Sequence, residues 1–129
     1  MRFTLRKAER LVSVTDIEKL FTSGSRSFSV FPVRAIFRSA ETEEEHLKVM
    51  FSVSKRHFKH AVDRNRSKRQ MREAFRMNRQ ILLQHLEKQN KHLHIAFIWM
   101  ANRPYPSADI AKSIKTLLHL ILEKYENAR

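Results

Sequence analysis

An α+β fold is predicted by three features of the chain. Residues 27–39 and 47–53 alternate apolar and polar side chains with the period of two that marks strands. Residues 92–100, carrying Leu93, Ile95, Ala96, Phe97, Ile98 and Trp99, form a short and almost wholly apolar run, the pattern of a well-buried strand. Stretches near 16–23, 61–86 and 107–122 instead repeat their apolar residues at helical spacing. The order is helix, two or three strands, helix, strand, helix, which fits a two-layer sandwich of helices on one small sheet. With 129 residues, 42% of them hydrophobic, the chain can bury a core as one domain over 1–129.

The first helix is expected over about 16–23. Thr15 and Glu18 have the spacing of a capping box, and Ile17, Leu20 and Phe21 then share a face. Gly24, the only glycine, suits the left-handed position past a helix end. In the strand region 27–39, Phe31, Val33, Ala35 and Phe37 are expected on one side, and Phe28, Val30, Arg34 and Ile36 mostly on the other. Pro32 favours a break or an edge there. Leu47, Val49, Phe51 and Val53 alternate in the next strand, which is expected to pair antiparallel with the first run. The acidic residues 41–45 between them read as a solvated loop. Pro104 and Pro106 interrupt the chain after residue 100. Ser107 can then cap a last helix striped by Ile110, Ile114, Leu117, Leu118, Ile121 and Leu122.

The segment 61–79 contains no Gly or Pro, so it can be helical, and it is expected to continue through Leu86. Seven Arg or Lys residues and one acid, Glu73, lie between Arg64 and Arg79. At 100° per residue, Arg64, Lys68, Arg72 and Arg79 fall along one line, with Asn65, Arg69 and Arg76 beside it, over an arc of about 140°. Ser67, Met71 and Ala74 form an opposing docking seam, and Arg66 lies on a flank. From Lys55 to Arg79 there are ten basic and two acidic residues, so +8 of the net +13 sits in 25 residues. Like charges at helical spacing repel unless an anion lies against them. Solvated faces usually mix both signs, so this one points to a polyanion. Arginine suits phosphate, and Asn65 can donate to a phosphate, sugar or base edge.

Several function classes fall away. With no cysteine, neither disulfides nor thiolate metal sites are possible. No apolar run approaches the ~20 residues that span a bilayer. The N-terminus lacks the apolar stretch of a secretory signal. A soluble, cytoplasmic protein is expected, with no membrane partner and no small-molecule substrate. His92 and His94, two apart on a strand, lack a third ligand. His57, His60 and Asp63 lack the frame of a catalytic group. No catalytic residue is assigned to the chain.

Leu47 to Arg76 resembles the protein subunit of bacterial ribonuclease P. The matching elements, in order, are Ser52-Val53-Ser54-Lys55, Ala61-Val62, Arg64-Asn65-Arg66, Lys68-Arg69 and Arg72. Phe21, Gly24 and the element order extend the likeness over most of the chain. The resemblance implies an αβββαβα, ribosomal-protein-like fold with a left-handed crossover through the basic helix. It implies a ribonuclease P catalytic RNA and precursor tRNA as partners. The RNA would hold the active site and its Mg²⁺ and cut the 5′ leader from the precursor. The protein would bind RNA through Arg64, Asn65, Arg66, Lys68, Arg69, Arg72 and Arg76. It would hold the leader in a cleft lined by Phe21, Phe31, Lys55 and Arg56. Two departures stand out: Ile17 replaces a common Phe, and the loop 57–60 is one residue longer and lacks the usual Gly.

Other partners compete with this reading: ribosomal RNA, duplex DNA and an anionic membrane. A major-groove reader would need a helix-turn-helix partner, and the segment before the basic helix reads as strand and loop. A membrane-surface helix would need Trp, Phe or Leu along one face, and this one has only Phe75 and a few Met. Phe21 and Phe31 could equally be core residues. Trp99, in an apolar strand, is expected in the core.

Overall fold

In a computed structural model of the chain, residues 9–22, 24–41 and 43–126 are described. The elements are α1 (Val14–Leu20), β1 (Arg26–Val30), β2 (Val33–Ser39), β3 (Leu47–Ser52), α2 (Ala61–Asn78), α3 (Gln80–Gln89), β4 (Leu93–Trp99) and α4 (Ser107–Glu126). This is an α+β architecture around one four-stranded sheet of order β1-β2-β4-β3.

The run 27–39 is a hairpin. β1 pairs antiparallel with β2 from Arg26↔Phe37 to Val30↔Val33, with Phe31 and Pro32 in the turn. That turn puts Phe28 and Val30 on the same face as Val33, Ala35 and Phe37, where uninterrupted alternation would have opposed them. The expected antiparallel pairing of this run with β3 does not occur. β4 lies between them, antiparallel to β2 (Val33↔Trp99) and parallel to β3 (Leu47↔Leu93). β4 has no Asp, Glu, Lys or Arg and six of its seven residues are buried, so the central lane suits it. β3 carries Lys48 and takes the edge. Parallel neighbours need a long crossover, and α2 with α3 supplies it.

The basic helix is not continuous to Leu86. α2 gives way to α3 at the single irregular residue Arg79, which the i→i−4 bonds Arg79 N to Phe75 O and Leu83 N to Arg79 O still span. The Arg79 side chain turns inward to Glu9, Nη1 to Oε2 2.5 Å, both residues buried. A buried cation of this kind is tolerated because it is paired. α3 ends at Asn90 in the left-handed conformation (φ 51°, ψ 46°), which Asn tolerates.

α1 starts earlier than expected. Ser13, not Thr15, is its cap, with Oγ accepting from Asp16 N at 3.4 Å. Gly24 has no positive φ. A Cβ there would stand 2.6 Å from Arg38 Nη1, so a larger residue would displace that guanidinium. That guanidinium donates to Thr22 Oγ1 and to Lys19 O at the end of α1.

The helices occupy both faces of the sheet. The main core joins the faces of Val33, Ala35, Phe37, Leu47, Val49, Ile95, Phe97 and Trp99 to Met71, Phe75 and Leu82 and to Ile110, Ile114, Leu117 and Ile121 of α4. Trp99 is fully buried, with Nε1 donating to Ala101 O at 2.8 Å. On the reverse face, Leu11, Leu20 and Ala96 form a smaller cluster flanked by Ile17, Ile36, Met50 and Ile98. α1 is therefore a partial third layer.

Candidate nucleic-acid interface

α2 buries Ser67, Gln70, Met71, Ala74 and Phe75. The seam is thus wider than Ser67, Met71 and Ala74, and it encroaches on the cationic arc. Arg79 leaves that arc for Glu9. Arg64 lies at its sheet-side boundary, half-buried, donating to Phe58 O (2.8 Å) and Lys59 O (3.1 Å). Lys68 and Arg72 are half-buried, and the Arg72 guanidinium stands 5.9 Å from the centre of the Phe51 ring. Arg76 is paired with Glu73, whose carboxyl is held below its ordinary range chiefly by that hydrogen bond. Asn65, Arg66 and Arg69 are exposed. The solvent-facing centre of the helix has therefore rotated toward Arg69, with Arg66 on one side and Lys68 and Arg72 on the other.

Lys55 and Arg56 are exposed on a tight turn after β3, closed by His57 N to Ser54 O (3.0 Å) and Arg56 N to Ser54 Oγ (3.1 Å). The longer loop is anchored by its first two residues. Phe58 is buried with its ring 6.1 Å from Trp99, and His57 Nδ1 lies 2.7 Å from Asn102 Oδ1. His57 thereby ties the basic turn to the β4–α4 connection.

The two aromatics assigned to one cleft have different neighbours. Phe21, 48% exposed at the C-terminal cap of α1, lines a recess on the α1 face with Leu20, Ser25, Ser27, Arg34 and Ile36. Phe31, 58% exposed, sits in the hairpin turn with its ring edge-on to Tyr105 at 5.8 Å. The register levels Arg34 with Ile98 and Ser52, so Arg34, the hairpin turn and the Lys55–Arg56 turn share one end of the sheet, while the recess reaches from Arg34 toward mid-sheet at Ile36 and Ser27.

Sequence reading missed three residues here. Arg34 faces the recess and donates to Ser27 Oγ at 3.3 Å. Arg103 lies 5.0 Å over the Tyr105 ring, and Tyr105 packs edge-on to Trp99. The alternation of β2 already marked Arg34 as outward-facing; a Tyr set between two prolines was the only signal for Tyr105.

The opposite end of the α1 face differs in charge. Asp16, Glu41 and Glu43 surround Lys19, Arg38 and His94 in a depression of about 500 Å³. Burial pushes the Glu43 carboxyl up, but hydrogen bonds from His94 (2.7 Å) and Lys48 outweigh it and hold the pKa low. Nearby, His46 and His92 stack at 4.4 Å. Among the described residues, no three His, Cys, Asp or Glu side chains are grouped to hold a metal ion. No helix among them is long and apolar enough to cross a membrane.

Fold and surface together define a small basic α+β protein that presents a cationic helix beside an aromatic-lined sheet end. The chain belongs to the ribonuclease P protein family, whose model matches residues 5–124. It is 37% identical over 97 residues to the ribonuclease P protein component of Porphyromonas gingivalis, covering 74% of this chain and 70% of that one. It is 33% identical over 129 residues to that of Chlorobium phaeobacteroides, covering 92% and 88%. The fold matches a solved RNase P protein from Staphylococcus aureus (TM-score 0.66, 22% identity, 89% and 96% covered). It also matches one from Thermotoga maritima (TM-score 0.60, 22% identity, 90% and 96% covered).

Proposed function

We propose that the chain holds RNA for the ribonuclease P reaction and performs none of the bond-breaking itself. The observation that carries this is the exposed row of Asn65, Arg66 and Arg69 on α2, flanked by Lys68 and Arg72. Family membership supports RNA as the polyanion. The cations of α2 bind the catalytic RNA, and the α1-face recess at Phe21 and Arg34, with the Lys55–Arg56 rim, takes the unpaired 5′ leader of precursor tRNA. Mg²⁺ is held by the RNA and its substrate, and supplies the charge stabilisation that strand cleavage needs. The chain's own residues neutralise phosphates, stack bases and fix the leader's position. The compartment is the cytoplasm, where precursor tRNA is available.

The test is reconstitution. Protein, a bacterial ribonuclease P RNA and precursor tRNA are mixed at low Mg²⁺, and cleavage at the mature 5′ end is followed. Enhancement over RNA alone is expected. No enhancement, together with ribosomal RNA co-purifying from cells, would move the chain to a ribosomal role.

A further inference from the structure

One corner of the sheet gathers two guanidiniums. Arg26 opens β1 and is level with Phe37, next to which Arg38 and Ser39 end β2. These residues sit at the end of the sheet away from the β1–β2 turn, by the edge away from β3. α4 packs on β1 and β2 and α2 on β3, so this corner and the cationic helix belong to opposite sides of the sheet's width. A recess of about 260 Å³ opens at the corner, lined by Gly24, Arg26, Phe37, Arg38, Ser39 and Tyr125. No carboxylate is among them, and among the described residues neither arginine is ion-paired. Arg38 donates to Lys19 O and Thr22 Oγ1, two neutral acceptors, so its charge stays uncompensated. Like charges brought to one small space repel unless an anion joins them.

Two further features of the recess suit an anion. The hydroxyls of Ser39 and Tyr125 are hydrogen-bonded at 2.8 Å. One proton is spent between them, and the other is left to donate outward. Burial raises the pKa of the Tyr125 phenol, against smaller opposing effects of Ser39 and the nearby Arg26, so it keeps its proton. Gly24 is the second feature. Its φ is not positive, so the backbone there does not need glycine. The guanidinium does: a Cβ would stand 2.6 Å from Arg38 Nη1 and 3.3 Å from Nη2. The donors thus come from three separate groups, two guanidiniums and a hydroxyl pair. A carboxylate or a backbone phosphodiester has two free oxygens to offer them, whereas a terminal or free phosphate has at least three.

We infer that Arg26, Arg38, Ser39 and Tyr125 form a binding site for a small phosphate ligand, either orthophosphate or the terminal phosphate of a small ester. Arg26 and Arg38 neutralise it, the hydroxyl pair donates to it, and Gly24 leaves the space that keeps Arg38 in place. The ligand ties the start of β1 to the C-terminal end of α4 and to the end of α1 through Arg38. It stabilises the chain by mass action. Because the site lies away from α2, phosphate and RNA are bound together rather than in competition.

The test follows the backbone amide signals of the full chain by nuclear magnetic resonance while orthophosphate is added at constant pH and ionic strength. Signals of Gly24, Arg26 and Ser39 should move and saturate, and acetate should not reproduce the change. Arg26 is exposed, so Arg26→Gln should fold as the native chain does. It should weaken saturation at the corner at least about tenfold, the loss of one charge-assisted contact. Any response of α2 to phosphate should stay as in the native protein. Gly24→Ala should weaken the same saturation by displacing Arg38. Adenosine 5′-monophosphate separates the sources. Equal saturation by orthophosphate assigns the free ion, tighter saturation by the nucleotide assigns an ester, and either upholds the site. A short single-stranded RNA without terminal phosphates should shift the signals of α2 and leave phosphate bound at the corner. Displacement of phosphate from the corner by that RNA would give the corner to the RNA backbone and overturn the proposal. So would corner signals that never saturate, that respond equally to acetate, or that saturate unchanged in both Arg26→Gln and Gly24→Ala.

Discussion

Gln70 on α2 donates from Nε2 to the carbonyl oxygen of Tyr105, 3.0 Å away, and to Ser107 Oγ at 3.1 Å. One buried amide thus joins the cationic helix to the connection that carries Arg103 and leads into α4. Arg66, one turn earlier on the same side of α2, faces the same way by helical geometry. The flank that looked like a stray arginine in sequence borders the β4–α4 connection in space.

Gln70→Ala should therefore destabilise the fold by about 1–2 kcal/mol, the net loss of buried hydrogen bonds. Urea unfolding checks this, with a lower midpoint and an unchanged slope. The salt dependence of RNA binding should stay as in the native protein, since no phosphate contact is removed.

Arg69 and Arg64 should separate binding from stability. Arg69 is exposed, so Arg69→Ala should leave the unfolding midpoint unchanged. It should flatten the dependence of log K on log salt by about one phosphate contact. Arg64 also ties the loop at Phe58 O and Lys59 O, so Arg64→Ala should lower both affinity and stability. A native salt slope in both variants would remove α2 from the phosphate contacts.

Much of this was legible in the sequence. Periodicity placed the helical and strand stretches, though it ran 61–86 as one helix where α2 and α3 meet at Arg79. What was not legible depends on pairings distant in the chain. The inward turn of Arg79 needs Glu9, 70 residues away. The central place of β4 depends on which strand is apolar on both faces, a comparison between strands rather than a property of one. Phe31 was counted as a strand residue because alternation runs through it; only the hairpin register shows it in the turn.

Acid should weaken the protein partly through Glu43. Its folded pKa is lowered by His94 and Lys48 despite burial, so its contribution is complete above the unfolded glutamate value of about 4.3. That contribution is lost as pH falls through the lower folded value. Glu43→Gln should be less stable than the native protein at pH 6, and the difference should shrink toward pH 3. Urea midpoints across that range provide the check, and a gap that persists undiminished in acid would deny the ion pair its role.

The reverse-face cluster is small enough that one residue decides whether α1 stays docked. Leu20 is fully buried against Leu11 and Ala96. Leu20→Ala should cost about 2–5 kcal/mol, transfer and cavity combined. Phe21, its neighbour, is half exposed, so Phe21→Ala should cost far less stability. If Phe21 stacks on leader bases, the order reverses for function. Phe21→Ala should weaken precursor binding by roughly 1–3 kcal/mol while sparing mature tRNA. Paired unfolding and binding measurements on the two variants decide it. Equal losses for precursor and mature tRNA in Phe21→Ala would return that ring to a packing role.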